Sequence, residues 1–274
     1  VGRRAGDAAV SHGRTTAVGF EGVRRLVPDR APFAAPDVPS GMESLEAELE
    51  RARDLDVAAL ADAVESIGFE CTRCGACCKA DDEDPHTATV FPDEVRDLQD
   101  GERDWRDVAR PMPYGLTDGP DGPEGETFEW ALQTDGCGDC AFYAEDDDGT
   151  GACTVHEDRP LICRTYPFSV ALAGTSQPMG EAVDSVPVDG QRPDGDAGDG
   201  SGLLRAHECE GLGRDISRED AEDLAVALKE RAVRELEEAI AVRDTYEPVE
   251  AGPGEVVVHD SEGAKSADGT PRDR

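Results

Sequence analysis

The chain has 274 residues, of which 38% are hydrophobic and 5% aromatic, so its buried core is smaller than its length suggests. Asp and Glu number 62 against 27 Lys and Arg, a formal net charge of −35, which argues against binding nucleic acid or anionic membrane, since both need a basic face. Only three bases are lysines (Lys79, Lys229 and Lys265), and a Lys-poor acidic surface that runs through helix-like segments implies adaptation to high salt, where counterions screen self-repulsion.

Residues 1–41 carry net +2 against −37 for the rest, are rich in Ala, Gly and Pro, and show no sustained periodicity. They read as a disordered arm, or as upstream sequence before a true start at Met42. No apolar run follows their arginines as in a secretory signal, and no stretch of roughly 20 apolar residues occurs in the chain. The expected location is the cytoplasm, where thiols stay reduced and a cysteine cluster signals metal or redox chemistry.

From Met42 onward the expected unit is one domain, residues 42–250. Leu45, Leu49, Val57, Leu60, Ala61, Val64 and Ile67 repeat at helical spacing, and Gly68 suits a helix end. A short strand is expected at 87–91, a helix opening at Pro92, loop over 111–126, a half-buried strand at 127–133, a hairpin over 140–155 and a strand at 169–173. Residues 174–202 hold seven Gly, five Asp and no Leu, Ile or aromatic residue, the composition of a disordered insertion. A last helix begins near Ser217, with Asp220 at capping-box spacing and Leu224, Leu228, Val233, Leu236 and Ile240 on its apolar face. Residues 251–274 read as a disordered tail.

Nine cysteines dominate the chemistry. Cys71, Cys74, Cys77 and Cys78 form C-x2-C-x2-C-C; Cys137 and Cys140 repeat the x2 spacing, and Cys153, Cys163 and Cys209 follow. Two thiolates at x2 spacing on a tight turn reach one metal, and small residues such as Gly75 and Ala76 free backbone N–H groups to face sulfur. A bacterial ferredoxin run would place its next Cys at Asp81, so the completing ligand is Cys78 or comes from far along the chain. Pairing Cys71/Cys74 with Cys137/Cys140 would equally satisfy a structural zinc site. The spacing therefore points to a thiolate metal site and leaves open iron–sulfur or zinc, and one site or two.

FECTRCGACC, then CAFY, then GACTVHEDRPLICRTYPF together resemble the CxxCxxCC family, the zinc- or iron-chelating cysteine-cluster proteins, over about Cys71 to Phe168. CEGLG at 209–213 resembles a late Cys-Pro-Gly element of archaeal relatives. The resemblance implies metal ligation by Cys71, Cys74, Cys77, Cys78, Cys140, Cys153 and Cys163, with Cys209 added. Cys137 lies outside the shared pattern. His156 stands where the family has Tyr, and Val155 where it has Ile. A larger relative with this cysteine pattern is the flagellin lysine N-methylase, so an enzymatic use of the cluster is a second reading.

Four thiolates around zinc or an oxidised cubane leave about two negative charges. Arg159 and Arg164 flank Cys163 and are candidates to donate N–H bonds to the sulfurs, against ion pairing with Glu157 or Asp158. His156 reads as a partly buried ring, His86 in DDEDPH as part of a solvated loop, and Tyr166, Pro167 and Phe168 as shielding. No P-loop, HExxH, GxSxG or Rossmann fingerprint occurs. The expectation is an α+β, metal-stapled domain with helices flanking short strands and irregular cysteine-bearing loops. It would hold an iron–sulfur cluster, of the 4Fe-4S type, or zinc, in electron transfer or as an accessory factor with a protein or redox partner. The alternatives are a cluster-dependent enzyme, either an oxidoreductase or N-methylase-like, and a structural zinc module that binds a partner protein.

Overall fold

Two capped helices open the fold. Ser44 Oγ accepts the Ala47 N–H at 3.2 Å to begin α1 (Leu45–Asp54), and Asp56 Oδ1 accepts from Ala58 and Ala59 at 2.8 and 3.0 Å to begin α2 (Val57–Ile67). Gly68 ends α2 at φ 79°, where a side chain would collide with the Arg214 carbonyl. The computed structural model describes residues 44–80, 86–177, 182–188 and 203–272, all within the unit Glu43–Arg274.

The cysteine loop leads to β1 (Thr89–Val90) and α3 (Pro92–Gln99), which has Pro at its start and the Glu94 carboxylate accepting the Phe91 N–H at 3.0 Å. Next come α4 (Trp105–Val108), β2 (Ala109–Pro111), β3 (Thr117–Gly119), β4 (Gly122–Thr127) and β5 (Trp130–Leu132). The cysteine hairpin β6 (Tyr143–Glu145) and β7 (Gly151–Cys153) precedes α5 (Leu161–Thr165), β8 (Phe168–Ala171), β9 (Ala182–Pro187) and β10 (Leu203–His207). The 28-residue α6 (Arg218–Thr245) and the hairpin β11 (Val256–Asp260) and β12 (Gly263–Ser266) close the chain. The fold is mixed α+β, with sheets ordered β1-β5-β2, β8-β10-β9, β12-β11-β4-β3 and β6-β7; β11 runs parallel to β4 and all other pairs are antiparallel.

These elements enclose two apolar cores. In the first, Leu49, Leu60, Val64, Leu228 and Leu236 of α1, α2 and α6 cover Phe168, Val170 and Leu204 of the β8-β10-β9 sheet. The second gathers Val95, Leu98, Val108, Trp130, Leu132, Phe142 and Val258. Arg231 of α6 is buried and donates to Glu235 Oε1 (2.8 Å), Thr165 Oγ1 (3.0 Å) and the Ser176 carbonyl (2.8 Å), fastening α6 to α5 and the turn after β8.

Three expectations need correction. Residues 111–126 are not all loop, because 117–119 and 122–127 pair as a hairpin across Gly122, whose φ of 120° suits a tight reversal. Residues 251–274 are not a disordered tail. Val256–Asp260 is buried throughout, and Lys265 is buried because its Nζ pairs with Asp260 Oδ2 and Glu262 Oε2, both at 2.7 Å. Within the expected insertion, residues 182–187 form a strand paired with β10. The segments 178–181 and 189–202, like residues 1–41, lie outside the described residues. Among those described, no helix is long and apolar enough to cross a membrane.

Candidate metal centre

Backbone pairing brings distant cysteines together. Phe69 bridges to Leu212, the Glu70 N–H donates to the Gly211 carbonyl at 3.0 Å, and Gly213 N–H donates to the Gly68 carbonyl at 3.0 Å. This short antiparallel contact lays Cys209 beside the start of the C-x2-C-x2-C-C loop. It needs glycine at 211, since a side chain there would strike the Glu70 carbonyl. Gly211 N–H in turn donates to Cys209 Sγ at 3.4 Å.

The loop then reverses through Arg73 (φ 58°) and Gly75 (φ 78°), so that Ala76–Cys78 forms a single 3-10 turn. Gly75 is buried against Tyr143, where an added Cβ would collide with the phenolic oxygen. Gly151 N–H donates to the Arg73 carbonyl at 2.8 Å, and Cys140 N–H to the Cys78 carbonyl at 2.8 Å. The hairpin puts Cys153 opposite Tyr143, and α5 supplies Cys163. Cys78, Cys140, Cys153 and Cys163, from four separate stretches of chain, pack together on the second core beside Phe142.

The electrostatics follow from this crowding. Cys77 Sγ and Cys78 Sγ lie 3.8 Å apart. The Cys78 hydrogen bond lowers the Cys77 thiol to about 7, with further help from its own backbone and from Arg159, while Cys78 is pushed up because it keeps the proton of the pair. Burial raises Cys140 to about 11 and also raises Cys163, and neighbouring thiols push both further in the same direction: Cys153 and Cys77 at Cys140; Cys140, Cys77 and Cys153 at Cys163. Cys209 is likewise raised by burial, with Cys77, Cys74 and Cys71 adding to it.

Of the predicted residues, eight cysteines fall into this region, and Cys137 stands apart on an exposed turn with its N–H on Asp135 Oδ1. Arg159 Nε donates to the His156 carbonyl at 2.9 Å and lies within electrostatic reach of Cys77 and Cys163. Arg164 is exposed. The His156 ring is exposed and faces Glu157 rather than packing inward. His86 is also unlike the expectation: it is buried, its ring hydrogen-bonds the Cys77 backbone, and its Nδ1 has no partner. Five acids or prolines precede it in the sequence, so only the folded loop reveals it.

The donors suit a thiophilic metal or cluster. As neutral thiols these side chains pack at little cost; ionised together as ligands, they need a cation to neutralise the thiolates. Among the described residues, no three Cys, His, Asp or Glu side chains converge on one point closely enough to hold an ion.

An α+β fold whose loops gather cysteines into one region defines a thiolate-rich chelating protein. Residues 70–186 match the CxxCxxCC family model, described as "Putative zinc- or iron-chelating domain", so this stretch of the chain is similar to that family. No curated protein and no solved structure matches the chain. Cys209 lies beyond the matched residues.

Proposed function

We propose that Cys78, Cys140, Cys153 and Cys163 hold an iron–sulfur cluster of the 4Fe-4S type, and that the protein works in electron transfer or as a cluster-dependent accessory factor to a redox partner. The observation that carries this reading is that Cys140 is buried in the second core and Cys78, Cys153 and Cys163 pack against that same core. An apolar wall excludes water and anchors each ligand on rigid backbone, and both properties tune a cluster. When bound, the cluster supplies reversible one-electron exchange. Arg159 supplies positive charge toward Cys77 and Cys163, and the buried His86 ring braces the Cys77 backbone.

The test is anaerobic purification of the full chain at high salt, with a visible spectrum and assays for iron, acid-labile sulfide and zinc. Broad visible absorption with matching iron and sulfide is expected. A colourless protein carrying stoichiometric zinc would overturn the iron–sulfur reading.

A further inference from the structure

We propose that the cavity between α6 and the strands β1, β4 and β5 binds a small organic ammonium, an amine cation carried on an apolar stem. No cysteine is among the described residues that line it. The site therefore stands whether the cysteines hold a cluster, zinc or neither.

The cavity measures about 420 Å³, within the range of roughly 300–1,000 Å³ usual for small-molecule sites. Val90, Met112 and Trp130 form part of its wall, and Val242 of α6 adds to it. Two aromatic side chains that line it are left open to solvent: Tyr114 is 61% exposed and Phe128 45%. Phe128 is held in place, since its ring stacks on His259 with centroids 5.5 Å apart and leans on Tyr246 at 5.3 Å. The face of a fixed aromatic ring carries negative potential and attracts a cation.

The charges set into this apolar wall do not balance. Of the carboxylates that line it, Asp260 is paired with Lys265 at 2.7 Å and Glu235 with Arg231 at 2.8 Å. Arg243 also lines the cavity, but Glu46 (2.7 Å) and Asp244 (2.8 Å) take up its charge. Glu129 and Glu238 remain. Glu238 accepts the Ser261 N–H at 2.7 Å, and among the described residues no cation pairs with either carboxylate. Desolvation raises Glu129, and the Glu235 and Glu238 charges raise it further; desolvation and Asp260 raise Glu238, with Lys265 opposing. Like charges gathered in such a space favour a cation between them. Glu129 is exposed and Glu238 half-buried, so a ligand reaches both. A bare metal ion suits the place poorly, because among the described residues no three Cys, His, Asp or Glu converge to hold one. It would also gain nothing from Met112, Val242 or Phe128. An ammonium on an apolar stem uses both the charge and the wall.

The test is calorimetric titration of the full chain with n-hexylammonium chloride at pH 7 in high KCl, set against neutral 1-hexanol. Saturable binding of one hexylammonium per chain is expected, with hexanol weaker by about tenfold or more because it lacks the charge. Glu129→Gln and Glu238→Gln should each weaken hexylammonium binding about tenfold, and Phe128→Ala severalfold. Glu230→Gln removes one charge from an exposed position of the same helix that does not line the cavity, and should leave binding unchanged. Glu238→Gln keeps an oxygen for the Ser261 N–H; should it not fold, Glu129→Gln decides. Equal affinity for hexanol and hexylammonium overturns the proposal, as does the absence of saturable binding. Several ammonium ions per chain, with the same loss in Glu230→Gln as in Glu129→Gln, would mean diffuse attraction to the acidic surface and overturn it too. Tighter binding of acetyl-Gly-Lys-Gly-amide than of hexylammonium would assign the cavity to a protein side chain and overturn the small-molecule reading.

Discussion

Arg231 Nη1 donates to Thr165 Oγ1 at 3.0 Å across the contact of α6 with α5, two residues along from Cys163. The same guanidinium pairs with Glu235 at 2.8 Å, and both side chains are almost wholly buried. Removing one partner of such a pair leaves an uncompensated buried charge, which costs roughly 3–5 kcal/mol. We predict that Arg231→Met lowers urea stability by about that amount and loosens α5 enough to reduce bound metal. A stability change within about 0.5 kcal/mol, typical of a surface substitution, would show that the contact is not needed.

The C-terminal hairpin is part of the second core. Asp260 accepts both Trp130 Nε1 (2.8 Å) and Lys265 Nζ (2.7 Å), and Lys265 lies over the Trp105 ring, 5.3 Å from its centroid. Lys265→Met should destabilise by roughly 3–5 kcal/mol. Truncation after Glu250 should abolish cooperative unfolding, because it strips Val256 and Val258 from the second core. A truncated chain that unfolds with the same urea midpoint would refute this.

Helical spacing and capping residues made α1, α2 and α6 legible, and cysteine spacing made the chelating class legible. The β11 strand was not, because three valines between Glu255 and His259 show neither alternation nor an apolar run long enough to distinguish a strand from a tail. Its burial depends on pairing with β4, some 130 residues earlier, and on the Lys265–Asp260 ion pair. The different surroundings of Cys77 and Cys78 were equally hidden. After the Gly75 turn Cys78 packs against the second core while Cys77 is exposed, and x2 spacing says nothing of that.

Gly75 tests whether the loop geometry matters to the metal. Its φ of 78° costs a side-chain residue about 1–2 kcal/mol, and the new methyl must also displace Tyr143. Gly75→Ala is therefore expected to reduce metal content sharply while leaving the α-helical circular dichroism in place. Tyr143→Ala in the same chain should relieve the collision but not the backbone strain, so only partial recovery of metal is expected. Full metal loading in Gly75→Ala would contradict a strained, preorganised loop.

Glu129 gives a pH test away from the cysteines. Burial raises its carboxyl above the ordinary 4.5, and the charges of Glu235 and Glu238 push it the same way. A carboxyl raised in the folded state binds its proton more tightly there than in the unfolded chain. The folded state is therefore favoured at low pH, and stability is lost as pH climbs from about 4.5 through the raised value. Glu129→Gln should remove that loss, giving a higher urea midpoint at pH 7 and little difference at pH 4. Equal midpoints at both pH values would show that the carboxylate carries no penalty.

Salt sets two effects against each other. Exposed pairs such as Arg53–Glu237 (2.9 Å) and Arg243–Glu46 (2.7 Å) weaken as ions screen them, but solvent already leaves each of them little net strength. The net charge of −35 repels itself over the whole surface, and raising salt from 0.1 to 1 M cuts the screening length from about 10 Å to about 3 Å. Relief of that repulsion should win. The thermal midpoint is predicted to rise with KCl from 0.1 M into the molar range, by roughly 2–4 °C for each kcal/mol gained. Replacing surface acids by Gln or Asn should flatten the rise in proportion to the charge removed, since fewer charges are left to screen. A midpoint that falls with salt would mean the ion pairs outweigh the repulsion and that the acidic surface is no adaptation to salt.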